Sequence, residues 1–310
     1  MITISILIAQ IMGLAMKAPE WWPIIFAIPL VPSFFQVVAM FFVIESPKYT
    51  VKKDKQQALT DLASLREASE DHPLVQQELQ LILKESQAYE NEPKIGILSL
   101  FSGKLLWPTF LACFLQAAQQ LSGINAAMFY STKIFQDAHL SEENSIYATL
   151  GMGSANVATT VVSFFLVEAL GRRTLLLTGK SGMLISTIML VVAIHQQWSW
   201  VSIALVVMFV VSFAIGPGSI PFFYVSEVFG SNARASASAL ATATNWTCNF
   251  IIGLGFPPIQ KLIGEYVFLI FSGCLIVAII VIIMWLPETK GKSIEEVQEN
   301  MEKRKTKCCC

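Results

Sequence analysis

A series of apolar runs, each close to the length needed to cross a bilayer, constrains this chain more than any other feature. They lie at roughly 21–43, 105–130, 146–167, 174–195, 199–224, 236–262 and 264–286. A hydrocarbon core about 30 Å thick needs about 20 apolar residues per helix, and each run supplies them. Strands do not fit, because lipid demands backbone that is satisfied internally and the alternation of a barrel is missing. The expected fold is therefore an all-α, polytopic membrane helical bundle with the lipid bilayer as its solvent. At 54% hydrophobic and 14% charged residues, the composition agrees. A shorter apolar piece, 1–16, precedes the first run. Without basic residues before it or a small-residue cleavage site after it, it reads as the tail of a helix whose beginning is absent.

Charge placement orients the bundle. If the runs alternate across the bilayer, one side collects Arg172, Arg173, Lys180, Arg234, Lys290, Lys292 and the basic run 303–307, together with the lysines and Arg66 of the 46–104 loop. The other side holds only Lys17, Lys133 and Lys261. By the positive-inside rule the crowded side is cytoplasmic, which puts the C-terminus there.

The 46–104 loop is the one soluble piece. From Lys53 to Glu92 it reads as helical, with Leu62, Leu65, Leu74, Leu79 and Leu81 set among Glu, Gln, Lys and Ala, and Asp71-His72-Pro73 separates two helices. It forms either an amphipathic bundle on the cytoplasmic face or a solvated linker.

Cysteines and histidines carry little chemistry. Cys113, Cys248 and Cys274 lie inside apolar runs as small packing residues. Cys308, Cys309 and Cys310 follow the basic run and are either S-acylated or inert, with no prenylation box. His72, His139 and His195 have no partner at ligand spacing, so no metal site, cofactor or hydrolytic triad is expected, and the chain does not read as an enzyme. No nucleic-acid partner is expected either.

Polar groups inside the runs do carry chemistry. The stretch AAQQLSGINAAMFY (117–130) places Gln119, Gln120 and Asn125 where lipid should be. An unpaired buried amide costs about 1–3 kcal/mol, so these groups face protein, water or a polar ligand. On an unbroken helix Gln120 and Asn125 differ by roughly 140°, and Gly123 after Ser122 offers a bend that brings them together. Both interhelical hydrogen bonding and a cavity for a polar solute account for them. Asn156 stands in a small-residue stretch, and Asn245 and Asn249 are spaced to share one helix face. Neutral amides with no mid-span acid or base suit an uncharged, hydroxyl-rich solute better than an ion. The stretch IGPGSIPFFYVSEVF (215–229) holds Gly216, Pro217, Gly218 and Pro221, which break or kink a helix. Such a break serves either as a gate or as a static kink.

Together QQLSGIN (119–125), VEALGRRTL (167–175), GPGSIP (216–221), the NWTCNF stretch and PETKG (287–291), with a weaker IESPKY (44–49), resemble the sugar porter family of the major facilitator superfamily. Within that family the pattern is most similar to the facilitative glucose transporters. The resemblance implies that Gln119, Gln120, Asn125, Asn156 and Asn249 read sugar hydroxyls, with Phe222 facing the substrate. It implies that Glu168, Arg172, Arg173, Glu227 and Arg234 form a charged latch, and that Gly216, Pro217, Gly218 and Pro221 form a gate. Two positions depart from the glucose carriers: Ala214 stands where they have a glutamate, and Phe222 where they have a tryptophan.

The same resemblance divides the chain. Residues 1–43 correspond to the end of an N-terminal transmembrane half, 44–104 to an intracellular helical segment, 105–286 to a C-terminal six-helix half, and 287–310 to a cytoplasmic tail. Roughly the first four to five helices of the family have no counterpart, so a truncated form is expected. The expected activity is passive hexose transport, of glucose or fructose, by alternating access in the plasma membrane. A proton-coupled sugar symporter and a non-transporting partner of a full-length carrier are the alternatives, the missing half or such a carrier being the expected protein partner.

Overall fold

The computed structural model describes residues 2–16, 19–91, 95–137 and 139–309. The described helices, in order, are α1 (Ile2–Ala15), α2 (Trp22–Ala27), α3 (Leu30–Met40), α4 (Pro47–Thr50), α5 (Lys55–Leu65) and α6 (Pro73–Asn91). There follow α7 (Leu106–Gln120), α8 (Ile124–Phe129), α9 (Ser131–Asp137), α10 (Glu142–Leu170) and α11 (Arg172–His195). The last are α12 (Ser199–Ile215), α13 (Ile220–Val228), α14 (Ser231–Ile263), α15 (Val267–Trp285) and α16 (Ile294–Cys309). No strand occurs among the described residues. The chain forms two compact units, one of Met1–Ala15 with Ile95–Cys310 and one of Met16–Lys94.

The smaller unit combines an apolar stretch with a polar helical pair. Pro23–Met40 is long and apolar enough to cross a membrane, and none of that window is buried. Beyond it, α5 and α6 pack through Ala58, Leu62, Ala63, Val75, Leu79 and Ile82. Ala58 and Leu62 on α5, and Val75, Leu79 and Ile82 on α6, recur at spacings of three and four, the stripe a helix presents to one neighbour. Of the leucines the sequence singled out, Leu62 and Leu79 lie in this core, while Leu65, Leu74 and Leu81 are exposed: Leu74 and Leu81 stand one position off the stripe, and Leu65 is the last residue of α5. Asp54 caps α5 by accepting from the Gln56 amide at 2.8 Å. Arg66 closes the pair with a two-point hydrogen bond to Glu78, at 2.8 and 2.9 Å.

In the larger unit, the helices long and apolar enough to span a membrane are α10, α11, the α12–α13 pair and the α14–α15 pair. The expected 105–130 span is divided instead. Its first part, α7, ends at Gln120, and Gly123 turns the chain at φ +86° before α8 and α9 begin. A φ of that sign is open to glycine at little cost and to other residues only with strain. Phe271 fills the space where a Cβ would stand, 2.5 Å from its position, so glycine is required twice over.

Two clusters form the core. One gathers α7, α13, the first half of α14, the end of α15 and α16 around Leu111, Leu115, Tyr224 and Phe229. The other gathers α8 to α12 and the start of α15 around Phe135, Met152, Met183, Val210 and Phe271. Contact between α11 and α12 is close because Gly179 and Gly182 present no side chain to Ser212 and Pro217. The 33-residue α14 carries Pro257 and Pro258 within it. One position was misplaced by sequence reasoning. Lys180, grouped with the loop cations, is buried inside α11, because that helix starts directly at Arg172 after a single linking glycine.

Candidate functional site

Three helices converge on a network of neutral amides. Along α7, Gln116, Gln119 and Gln120 fall on one face at spacings of three and four, and all are buried. From α14, Asn245 reaches into this face. Its Nδ2 donates to Gln119 Oε1 at 2.6 Å and to Gln116 Oε1 at 2.7 Å, and its Oδ1 accepts from Gln120 Nε2 at 2.7 Å. Beyond the turn at Gly123, Asn125 on α8 donates its Nδ2 to Gln120 Oε1. The bend thus brings Gln120 and Asn125 together, as the 140° offset requires. Gln119 faces the other break in the bundle, donating its Nε2 to the carbonyls of Pro217 at 2.8 Å and Gly218 at 2.7 Å.

The second break interrupts helix between α12 and α13 over residues 216–219. Such an interruption leaves carbonyls without helical partners, and Gln119 takes up two of them. Gly216 packs so closely on α11 that a Cβ there would lie 2.6 Å from the Leu175 carbonyl oxygen. One donor in the network stays unused: Gln116 Nε2 is buried with no hydrogen-bond partner among the described residues. A buried, unsatisfied amide N–H costs about 1–3 kcal/mol.

Not every position named from sequence joins. Asn156 on α10 is buried, but its side chain makes no hydrogen bond within the amide network. Asn249 is half-buried, one turn beyond Asn245, and likewise stands outside it. Phe222 is 45% exposed and Ala214 is buried. Sequence reasoning missed Gln116 as a site residue and did not carry Asn245 into the site. The Gln-x-x-Gln-Gln spacing on one helix face was the available signal for the first.

A second cluster is ionic. Arg172 opens α11 and donates to Glu227 Oε1 from both Nε and Nη2 at 2.7 Å. Glu227 Oε2 accepts from the Thr289 hydroxyl at 2.5 Å. Glu288, overlooked within PETKG, accepts from the backbone N–H groups of Arg172 at 2.8 Å and Arg173 at 3.1 Å. A carboxylate there meets the unpaired donors and positive dipole end of α11. Lys290 Nζ donates to the Ala169 carbonyl at 2.9 Å, at the opposite dipole end of α10. Arg173 donates to the Ile283 carbonyl at 2.9 Å, and Arg234 to the Phe229 carbonyl at 3.3 Å. Of the named latch residues, only Arg172 and Glu227 form an ion pair among the described residues; Glu168 is exposed and outside the cluster.

A family model described as "Sugar (and other) transporter" matches residues 1–301. Facilitated glucose transporter protein 1 of Caenorhabditis elegans is 44% identical over 98% of this chain and 62% of its own length. Solute carrier family 2, facilitated glucose transporter member 3 of Canis lupus familiaris is 40% identical over 97% of this chain, again covering 62% of the relative. The chain therefore spans about 62% of the length of these relatives. Among solved structures, the proton:xylose symporter XylE bound to 6-bromo-6-deoxy-D-glucose aligns with TM-score 0.74 at 23% identity, over 96% of this chain and 63% of that one. The inward open xylose transporter XylE from E. coli aligns with TM-score 0.75 at 24% identity, over 94% and 62%. At that identity the likeness is one of fold, that of the major facilitator superfamily. The chain, a multi-pass membrane protein, belongs to the sugar transporter family.

Proposed function

We propose that this chain contributes the hydroxyl-reading half of a facilitative hexose carrier that works by alternating access. The amide network carries the proposal. Gln116, Gln119, Gln120, Asn125 and Asn245 offer neutral donors and acceptors, drawn from both sides of one helix break and set against another. An uncharged polyol competes for such bonds with hydroxyls that donate and accept in turn, whereas an ion finds no carboxylate there. Because the amides now bond to one another, the sugar exchanges amide–amide bonds for amide–hydroxyl bonds and leaves few groups unpaired. Asn156, Asn249 and Phe222 are proposed to meet the sugar in other states of the cycle.

Under this proposal the end bearing Arg172, Glu227, Glu288 and Thr289 lies at the cytoplasmic side with the C-terminus, in line with the basic bias of the loops. There the ion cluster holds the ends of α10, α11, α13 and α15 together as the breaks at 121–123 and 216–219 flex. The plasma membrane is the proposed location. The carrier is proposed to be passive, in keeping with the facilitated glucose transporters among its relatives.

Uptake of labelled D-glucose and D-fructose into liposomes holding only this chain, with L-glucose as control, tests the proposal. Stereoselective uptake lost in Gln120→Ala is expected if this part of the carrier suffices. Stereoselective binding without uptake means that transport needs the remainder of the family fold. Neither binding nor uptake by folded protein overturns the proposal.

A further inference from the structure

A charged side chain within the bundle stands outside both clusters already described. Lys180 is 1% exposed, nine residues into the 24-residue α11. Its Nζ donates to the Ala118 carbonyl at 2.8 Å. Among the described residues no carboxylate pairs with it. Taking an ammonium group out of water without a counter-charge costs several kcal/mol, and such residues inside membrane helices mark function more often than packing.

Its acceptor explains its place. Ala118 belongs to the last turn of α7, just before the chain turns at Gly123. Carbonyls of a last turn lack helical N–H partners, and that end of the helix dipole is negative, so a cation is favoured there. The Gln119 carbonyl, next along, accepts from the Ser122 hydroxyl at 2.6 Å. Lys180 and Ser122 together finish the end of α7 at the point where it stops, and the amides Gln119 and Gln120 project from that same turn.

The neighbouring residue ties α11 to the other break. Any side chain at Gly179 would run into Pro217 and the Ser212 carbonyl. Pro217 is thereby seated against α11, and its carbonyl accepts from Gln119 Nε2 at 2.8 Å. A closed circuit results. Gly179 seats Pro217, Pro217 accepts from Gln119, Gln119 follows Ala118, and Ala118 accepts from Lys180, which follows Gly179.

We infer that residues 179–180 of α11 are a clamp that holds the end of α7 and the 216–219 break in fixed register, with Lys180 the positioning residue for the Gln119 and Gln120 amides. Lys180 does not touch the solute; it fixes the carbonyl behind the residues that do. What the clamp serves rests on the hexose-site proposal, while the clamp itself does not.

Hydrogen exchange of the purified chain in nanodiscs, with D-glucose binding against L-glucose as a second readout, separates the two. In Lys180→Met, exchange is expected to rise at residues 117–125 and at 216–220, and to stay unchanged in α5 and α6. D-glucose binding is expected to weaken about tenfold, the effect of losing one charge-assisted hydrogen bond. Lys180→Arg should restore most of both, which a loss of packing alone does not predict. Should Lys180→Met fail to fold, Lys180→Gln, keeping a donor without the charge, is expected to give intermediate values. Wild-type exchange at 117–125 in Lys180→Met or Lys180→Gln overturns the clamp. Faster exchange there in a protein that binds no hexose upholds the clamp and overturns the sugar reading.

Discussion

Thr289 donates its hydroxyl to Glu227 on the one carboxylate oxygen that Arg172 leaves free, at 2.5 Å. Two elements separated in sequence thus share a single carboxylate between a cation and a neutral donor. Arg172 and Glu227 are each only 22% exposed, so their bond is shielded more than a surface pair. Replacing Arg172 by Met leaves Glu227 with Thr289 alone in a half-buried place. The expected loss is about 1–3 kcal/mol, read as a lower midpoint of thermal unfolding in detergent. Arg172→Met with Glu227→Gln together should cost less than the sum of the single changes, and strict additivity would show that the pair is not coupled.

Asn245 is the hub of the amide network, and its removal is expected to be felt by each partner. Asn245→Leu leaves Gln116 Oε1, Gln119 Oε1 and Gln120 Nε2 without their shared partner. Stability should fall by about 1–3 kcal/mol and stereoselective hexose binding should be lost. Asn245→Asp keeps the acceptor but removes both donors, so it should retain the Gln120 bond and still fail to bind sugar. Sugar binding at wild-type strength in either variant would separate the network from the solute.

Gly123→Ala tests the bend. At φ +86° an alanine is strained by about 1–2 kcal/mol, and its Cβ would also collide with Phe271. Adding Phe271→Ala removes the collision and leaves the strain. The double change is therefore expected to cost less than the two single changes summed, by more than about 0.5 kcal/mol in thermal unfolding.

The α5–α6 pair should respond to acid. The two-point hydrogen bond from Arg66 holds the Glu78 carboxyl below its ordinary value of 4.5. A carboxyl with a depressed value in the folded state adds stability that is present above 4.5 and is lost as pH falls through the folded value. Hydrogen-exchange protection, taken relative to the intrinsic rate at each pH, should therefore fall at the Arg66 end of α5 and along α6 once the pH drops below 4.5. Glu78→Gln should show that lower protection already at pH 7 and lose the acid response.

How much of this was legible depended on how local each signal was. The breaks at Gly123 and over 216–219 could be read because glycine and proline act on their own backbone, whatever surrounds them. Asp71-His72-Pro73 marked two helices, but whether they packed together or formed a solvated linker was left open. Their buried stripe could not be read, since exposed and buried leucines look alike until the partner helix is known. Asn245 was visible as a polar residue, but only the packing of α14 on α7 shows that it, rather than Asn249, meets the glutamines. Glu288 was hidden because a carboxylate after proline in a short polar stretch looks like any loop residue. Its work depends on the end of α11 lying opposite. Lys180 was misplaced because charge was counted by loop, when its distance past Gly171 already put it two turns inside a helix.

One residue, Gly171, is all that separates α10 from α11, and a Cβ on it would lie 2.8 Å from the carboxyl carbon of Glu288. A joint of one residue has no slack. With Glu288 also gripping the first two amides of α11 and Lys290 the end of α10, neither helix can swing without taking the other and the stretch after α15 along. Through α11 that joint runs without interruption to Gly179 and Lys180, which meet Pro217 of the 216–219 break and the Ala118 carbonyl at the end of α7.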